Sequence, residues 1–115
     1  MSSSETLGNW LVLDGRVLAT LEIAKSRRDR RRGLLGRDGI EGALLLRPAK
    51  SVHTFGMKFA IDVAHLDREG TVLRVATMKP TRLGAFIFRS HSVIETEAGA
   101  FARWGVSEGD RLEIR

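Results

Sequence analysis

His53 and Asp62 are the residues of this chain best placed by type to do chemistry. Both fall in SVHTFGMKFAIDVAHLDREGTVLRVATMKP, Ser51 to Pro80, the densest run of strand-like segments in the sequence. Asp62 stands between Ile61 and Val63 in a stretch apolar enough to be buried on both faces of a sheet. An ionised carboxylate there must be paired or hydrogen-bonded, since bare burial costs several kcal/mol. The structural role open to it is a bond to backbone amides, or to an arginine such as Arg37. The functional role is that of an acid–base or ligand-binding group. If the strands carrying His53 and Asp62 are neighbours, the carboxylate would orient the imidazole, and Ser51 or Thr54 beside them would complete a nucleophilic arrangement of the hydrolase or lyase type. The elbow motif G-x-S-x-G that exposes a nucleophilic serine is absent from the sequence. A histidine bonded to a carbonyl is the simpler account of His53.

A metal could recruit His53, His65, His91 and Asp62. The three histidines are far apart in the chain, and neither H-x-H nor H-x-x-x-H occurs, so no metal and no cofactor is expected. With no cysteine, thiolate and disulfide chemistry are excluded.

Charge is concentrated in one segment. The formal net charge is +5, while Lys25 to Arg37 holds seven basic residues against Asp29 alone, so the rest of the chain sums to about −1. Arg27, Arg28, Arg30, Arg31 and Arg32 are candidate contacts for phosphate or nucleic acid. Adjacent arginines on a helix point around it, which gives a diffuse, salt-sensitive field. A solvated helix face is the simpler account of them. Neither G-x-x-x-x-G-K-[ST] nor G-x-G-x-x-G occurs, and the seven aromatic residues do not form an RNA-binding signature. Met57, Phe55, Phe59, Phe86 and Phe88 could line an apolar pocket, although core packing accounts for them more simply.

The elements that must position these residues are mostly strands. Met1 to Asn9 reads as a flexible polar tail preceding a single domain over residues 10–115. Trp10–Leu13 and Arg16–Ile23 form a hairpin through Asp14-Gly15, a dipeptide suited to a turn with two positive φ angles. Ser26 to Leu35 reads as the one helix, with Ser26 as N-cap and Gly36 as C-cap. Ala43–Leu46, Val52–Met57, Ile61–Leu66, Thr71–Thr77 and Arg111–Ile114 read as strands, and Asp67–Gly70 as a turn. In Ser92–Glu97, Val93, Glu95 and Glu97 alternate with Ile94 and Thr96, the pattern of a half-buried strand. Gly99–Trp104 fits a helical turn. The fold expected is mainly β, a compact sandwich or barrel-like domain of short antiparallel strands with one short helix near residues 26–35.

The longest apolar runs, such as Ala43–Leu46, are far short of a membrane span, and MSSSETLGN lacks the basic and apolar regions of a secretory signal. A monomeric, cytoplasmic protein is expected.

RRGLLGR, then ALLL, then HTFGMKFAIDVAHLDREGTVLRV, Pro80, VIETEAGAF and finally GD-x-L together resemble the bacterial and archaeal family called domain of unknown function 192. The resemblance runs from about Thr20 to the C-terminus. Its Gly-Leu-x-x-Arg element corresponds to Gly33, Leu34 and Arg37, and its Met-x-x-x-Ile-Asp element to Met57, Ile61 and Asp62. Where members often carry a tryptophan before the methionine this chain has Gly56, and Ala60 stands where many have proline. The resemblance implies a compact, mostly β fold and no established activity. With the chemistry above, it points to a non-catalytic module that binds a small molecule or protein near Arg37, His53, Met57 and Asp62. The alternatives are an enzyme using His53 and Asp62, and a nucleic-acid accessory protein working through Arg27–Arg37.

Overall fold

The computed structural model describes residues 9–115, so most of the expected N-terminal tail lies outside the described residues; Asn9 itself begins the first strand. Seven strands form one sheet: β1 (Asn9–Leu13), β2 (Arg16–Ala24), β3 (Ala43–Leu46), β4 (Ile61–Leu66), β5 (Val72–Met78), β6 (Ser92–Glu97) and β7 (Leu112–Ile114). The helices are α1 (Arg27–Arg32) and α2 (Ala100–Trp104). The spatial order is β5-β4-β6-β3-β2-β1-β7.

The sheet curls into a half-barrel whose two edge strands meet at one end. Thr71 and Arg111 form a bridge there. The Val72 amide donates to the Asp110 carbonyl at 2.8 Å, and the Leu112 amide to the Gly70 carbonyl at 2.9 Å. Gly70 is required at this seam. Its φ is +88°, and a Cβ would lie 2.4 Å from the Leu112 carbonyl oxygen.

The curl divides the apolar residues into two cores. Inside it, Leu11, Leu21, Leu45, Leu66, Ile94 and Leu112 surround Phe101 of α2. On the outer face, Leu44, Leu46, Ile61, Val63 and Val93 pack beneath Leu34 and Val52, with Met57 and Phe59 partly buried against them. Residues 33–60 therefore make most of a second layer, and a strand between them is covered on both sides. β4 and most of β6 are buried at every position for this reason.

Several expected elements form as read. The β1–β2 hairpin turns at Asp14 and Gly15, with φ of 51° and 77°. Others differ. β2 and β3 pair in parallel, because the link between them crosses over the sheet through α1 rather than turning back. The helix stops at Arg32, with Gly33 rather than Gly36 as its cap, while Ser26 accepts the Asp29 amide as expected. Val52–Met57 is not a strand. Its one bridge is His53 with Leu83. The Thr54 side chain binds the facing segment instead, donating to the Lys79 carbonyl at 2.6 Å and accepting the Arg82 amide at 2.8 Å. These long-range bonds use backbone groups of the 79–82 segment that would otherwise be free for a ladder.

Candidate functional site

The outer face carries an acid that the sequence reading passed over. The register places Glu95 of β6 directly between Leu44 of β3 and Val63 of β4. Glu22 of β2 lies on the other side of Leu44. Both carboxylates therefore face the layer that starts at α1. Arg37 forks onto Glu22 with bonds of 2.8 and 3.0 Å, which hold the Glu22 carboxyl below its ordinary range. The pair is partly exposed, so its contribution to stability is small.

Glu95 has no such partner. It is 4% exposed, and its Oε1 has no hydrogen bond among the described residues. Gly33 makes the approach possible, since a Cβ at that position would lie 2.8 Å from Oε1. Burial pushes the Glu95 carboxyl up to about 7, against the opposing pull of the Leu34 backbone amide and the Arg37 charge. Near neutrality it can thus either accept or donate a hydrogen bond.

Above Glu95 lies an open groove of about 340 Å³. Arg27, Arg30, Arg31 and Arg32 of α1 line it, as do Val52, His53, Phe55 and Met57 from the loop before β4. None of those four arginines pairs with a carboxylate among the described residues. The His53 Nδ1 accepts the Phe55 amide at 3.2 Å. That leaves Nε2 as the donor of the neutral ring. The ring stacks on Phe55 at 5.3 Å.

Of the residues singled out in the sequence, His53 and Met57 thus come together, in the company of the helix arginines. Arg37 stands on the far side of Gly33, lining a second, more polar cleft with Glu22. Asp62 does not join them. It shares the enclosed face with Ala64 and Leu66, where the Thr77 hydroxyl donates to it at 2.6 Å and the Phe101 amide at 3.3 Å. It therefore ties β5 and the start of α2 to the middle of the sheet. The His53–Asp62 pair that nucleophilic chemistry would need is not formed. Because both Asp62 oxygens act as acceptors, Asp62→Asn is expected to lower stability by about 1–3 kcal/mol, read from urea unfolding, by turning an amide toward a donor.

His65 is buried, with Nδ1 3.0 Å from the Ser90 hydroxyl. That hydroxyl donates to the Ala49 carbonyl at 2.8 Å. The ring nitrogen is therefore the donor in the His65–Ser90 pair. Burial, then the Arg74 charge, holds the His65 pKa below its ordinary value. Among the described residues no three His, Asp or Glu side chains are grouped so as to hold a metal ion, and no helix is long and apolar enough to cross a membrane.

The curled sheet and the layer across its outer face define a small β-rich half-barrel protein. Within that class the chain belongs to the family described as Uncharacterized ACR, domain of unknown function 192, whose profile matches residues 11–114. Two solved structures are similar to it. One is a protein of unknown function from Novosphingobium aromaticivorans, with a TM-score of 0.76 and 16% identity over 91% of this chain and 82% of that one. The other, from Sinorhizobium meliloti, is described as "a putative transcription regulator" and has a TM-score of 0.74 and 26% identity over 91% of this chain and 90% of that one. None of the curated proteins matches the chain.

The geometry gives physical content to the two sequence elements that carried the resemblance. Gly33 makes room for Glu95, Leu34 fills the outer core, and Arg37 clamps Glu22. Met57 lines the groove, Ile61 enters the outer core, and Asp62 fastens α2.

Proposed function

We propose that the protein is a non-catalytic binding module of the cytoplasm whose ligand is a small anionic molecule held in the groove between α1 and the Val52–Met57 loop. The observation that carries this reading is the unpartnered, buried Oε1 of Glu95 in a groove lined by four arginines. A buried polar atom without a partner is costly, and a ligand that satisfies it recovers that cost. The arginines suit a carboxylate or phosphate. Phe55, Met57 and Val52 supply an apolar wall. Glu95 calls for a hydroxyl or amino group on the same molecule.

Ligand-observed screening of a metabolite library tests this. Hits are expected among phosphorylated or carboxylated compounds that carry a hydroxyl or amine. Glu95→Gln and the paired change Arg30→Ala, Arg31→Ala should each weaken them by about tenfold or more. Asp62→Asn, on the opposite face, should leave affinity unchanged in a fold that still melts cooperatively. A screen without anionic hits, or hits indifferent to Glu95, would overturn the reading.

A second reading has two observations in its favour. The arginines of α1 are largely exposed, no α1 residue is buried, and the Sinorhizobium meliloti relative carries a transcription-related description. Contact with nucleic acid through Arg27–Arg37 would show as affinity for a DNA duplex that falls steeply as salt rises. Binding that is absent at low salt removes this alternative.

A further inference from the structure

Residues 49–55 and 82–89 run antiparallel as an irregular ribbon beyond β5. It is held by the Thr54 amide on the Arg82 carbonyl (2.8 Å), the Gly84 amide on Val52 (2.9 Å) and the Ile87 amide on Lys50 (2.9 Å). Large apolar side chains on it stand in water: Leu83 is 75% exposed, Phe86 66% and Phe88 78%, with Phe55 nearby at 47%. They belong to Leu-Gly-Ala-Phe-Ile-Phe, Leu83 to Phe88, a run without one polar side chain. Isolated exposed apolar residues are ordinary, but four gathered on one ribbon mark an interaction surface.

The segments that form and flank the ribbon carry charge of one sign, and acids approach it at the Phe88 end, where Asp67 and Glu69 of the β4–β5 turn line a cleft with Lys50, Phe88 and Arg89. From Gly70 to Ile94 the chain carries Arg74, Lys79, Arg82 and Arg89 and no acidic residue. From Gly42 to Ile61 it carries Arg47, Lys50 and Lys58, again with none. Lys50 braces the tip, donating to the Phe88 and Ser90 carbonyls at 2.6 and 3.0 Å, with its ammonium 5.3 Å over the Phe88 ring. Arg74, Lys79, Arg82 and Leu83 also line a groove of about 420 Å³ against β5.

We infer that this ribbon docks on an anionic lipid bilayer. Phe86, Phe88 and Leu83 enter the headgroup–acyl boundary, and Arg74, Lys79 and Arg82 receive lipid phosphates. Apolar tips ringed by cations are what such a surface selects, because apolar burial and attraction to anionic headgroups act together. Single-stranded nucleic acid would use the aromatic rings and the charges. It gives no role to the aliphatic Leu83, and Leu83–Phe88 offers no side chain that could bond to a base edge. A bilayer accepts aliphatic and aromatic tips alike. Leu83, Phe86 and Phe88 lie outside the groove over Glu95, which the ribbon borders through Phe55.

Co-sedimentation of the full chain with vesicles tests the inference. Binding is expected to phosphatidylglycerol-containing vesicles and to be at least about tenfold weaker to pure phosphatidylcholine. The double variant Phe86→Ser, Phe88→Ser should lower partitioning by about tenfold or more, with its melting temperature near that of the parent because both rings are already exposed. Arg30→Glu with Arg31→Glu, on α1, should change it little. The inference fails if anionic vesicles do not sediment the protein, or if the α1 variant abolishes binding that the phenylalanine variant leaves intact. It also fails if an oligouridine strand binds through Phe86 and Phe88 while the vesicles do not.

Discussion

Glu95→Gln is expected to make the protein more stable than its parent by about 2–3 kcal/mol at pH 8, and by nearly nothing below about pH 4.5. In the folded chain the carboxyl is pushed up to about 7 from an ordinary value of 4.5. Between those values the native state keeps a proton that the unfolded chain releases. Stability from this group is therefore full below the unfolded value and is lost as pH rises through the folded one. A pKa that differs by one between the folded and unfolded chain corresponds to about 1.4 kcal/mol, and this sets the magnitude. The amide removes the ionisation, though it must place an NH₂ where Oε1 has no partner, and this trims the gain. Urea unfolding of both proteins at pH 4.5, 6 and 8 measures it. A difference that does not depend on pH would mean that Glu95 is solvated after all. The parent should also lose stability in acid, because His65, whose pKa is lowered, contributes fully above the unfolded histidine value and loses that contribution as pH falls through its folded value. Its limb survives in Glu95→Gln, so the two can be separated. If the same substitution raises stability and abolishes ligand binding, the groove keeps its acid at a cost to the fold, as functional sites do.

What the sequence disclosed and what it concealed divide on a physical line. Local chemistry was legible. Asp14-Gly15 can hardly be anything but a tight turn, and an aspartate between Ile61 and Val63 must find donors, as Asp62 does in Thr77 and the Phe101 amide. The family resemblance was also legible, in residues that prove to hold the layer to the sheet. Features that depend on what folds over what were concealed. Alternation in Ser92–Glu97 shows which residues share a face, but not that Leu34, from far earlier in the chain, covers that face and traps Glu95. The sharing of one face by Val93 and Glu95 was the available clue. His53 and Asp62 looked like partners because they are close in sequence. The register places Asp62 on the enclosed face, while His53 sits in the layer over the other, so the sheet itself separates them. The strand preference of Val52–Met57 yields to the bonds of Thr54 and to a positive φ of 81° at Gly56. Neither is recorded in a propensity.

Gly33→Ala is expected to lower stability by about 2–4 kcal/mol, through two effects that can be measured apart. The first is conformational. Gly33 has a φ of 51° and a ψ of -128°, backbone space that residues with a Cβ avoid. The second is the new methyl, which would stand 2.8 Å from the Glu95 Oε1. Glu95 is held between Leu44 and Val63 and cannot swing away freely, so the Leu34 segment must lift instead, and Leu34 would leave a site where it is 1% exposed. A double-mutant cycle with Glu95→Ala separates the effects. The backbone cost remains in either background, whereas the clash vanishes once the carboxylate is gone, so the two substitutions together should cost less than their sum by about 1 kcal/mol or more. Additive costs would show that Gly33 matters for its backbone angles alone. Coupling of the expected size would show that Gly33 is there to bring a buried acid to the base of an arginine-lined groove, and that the helix cap and the candidate ligand site are one construction.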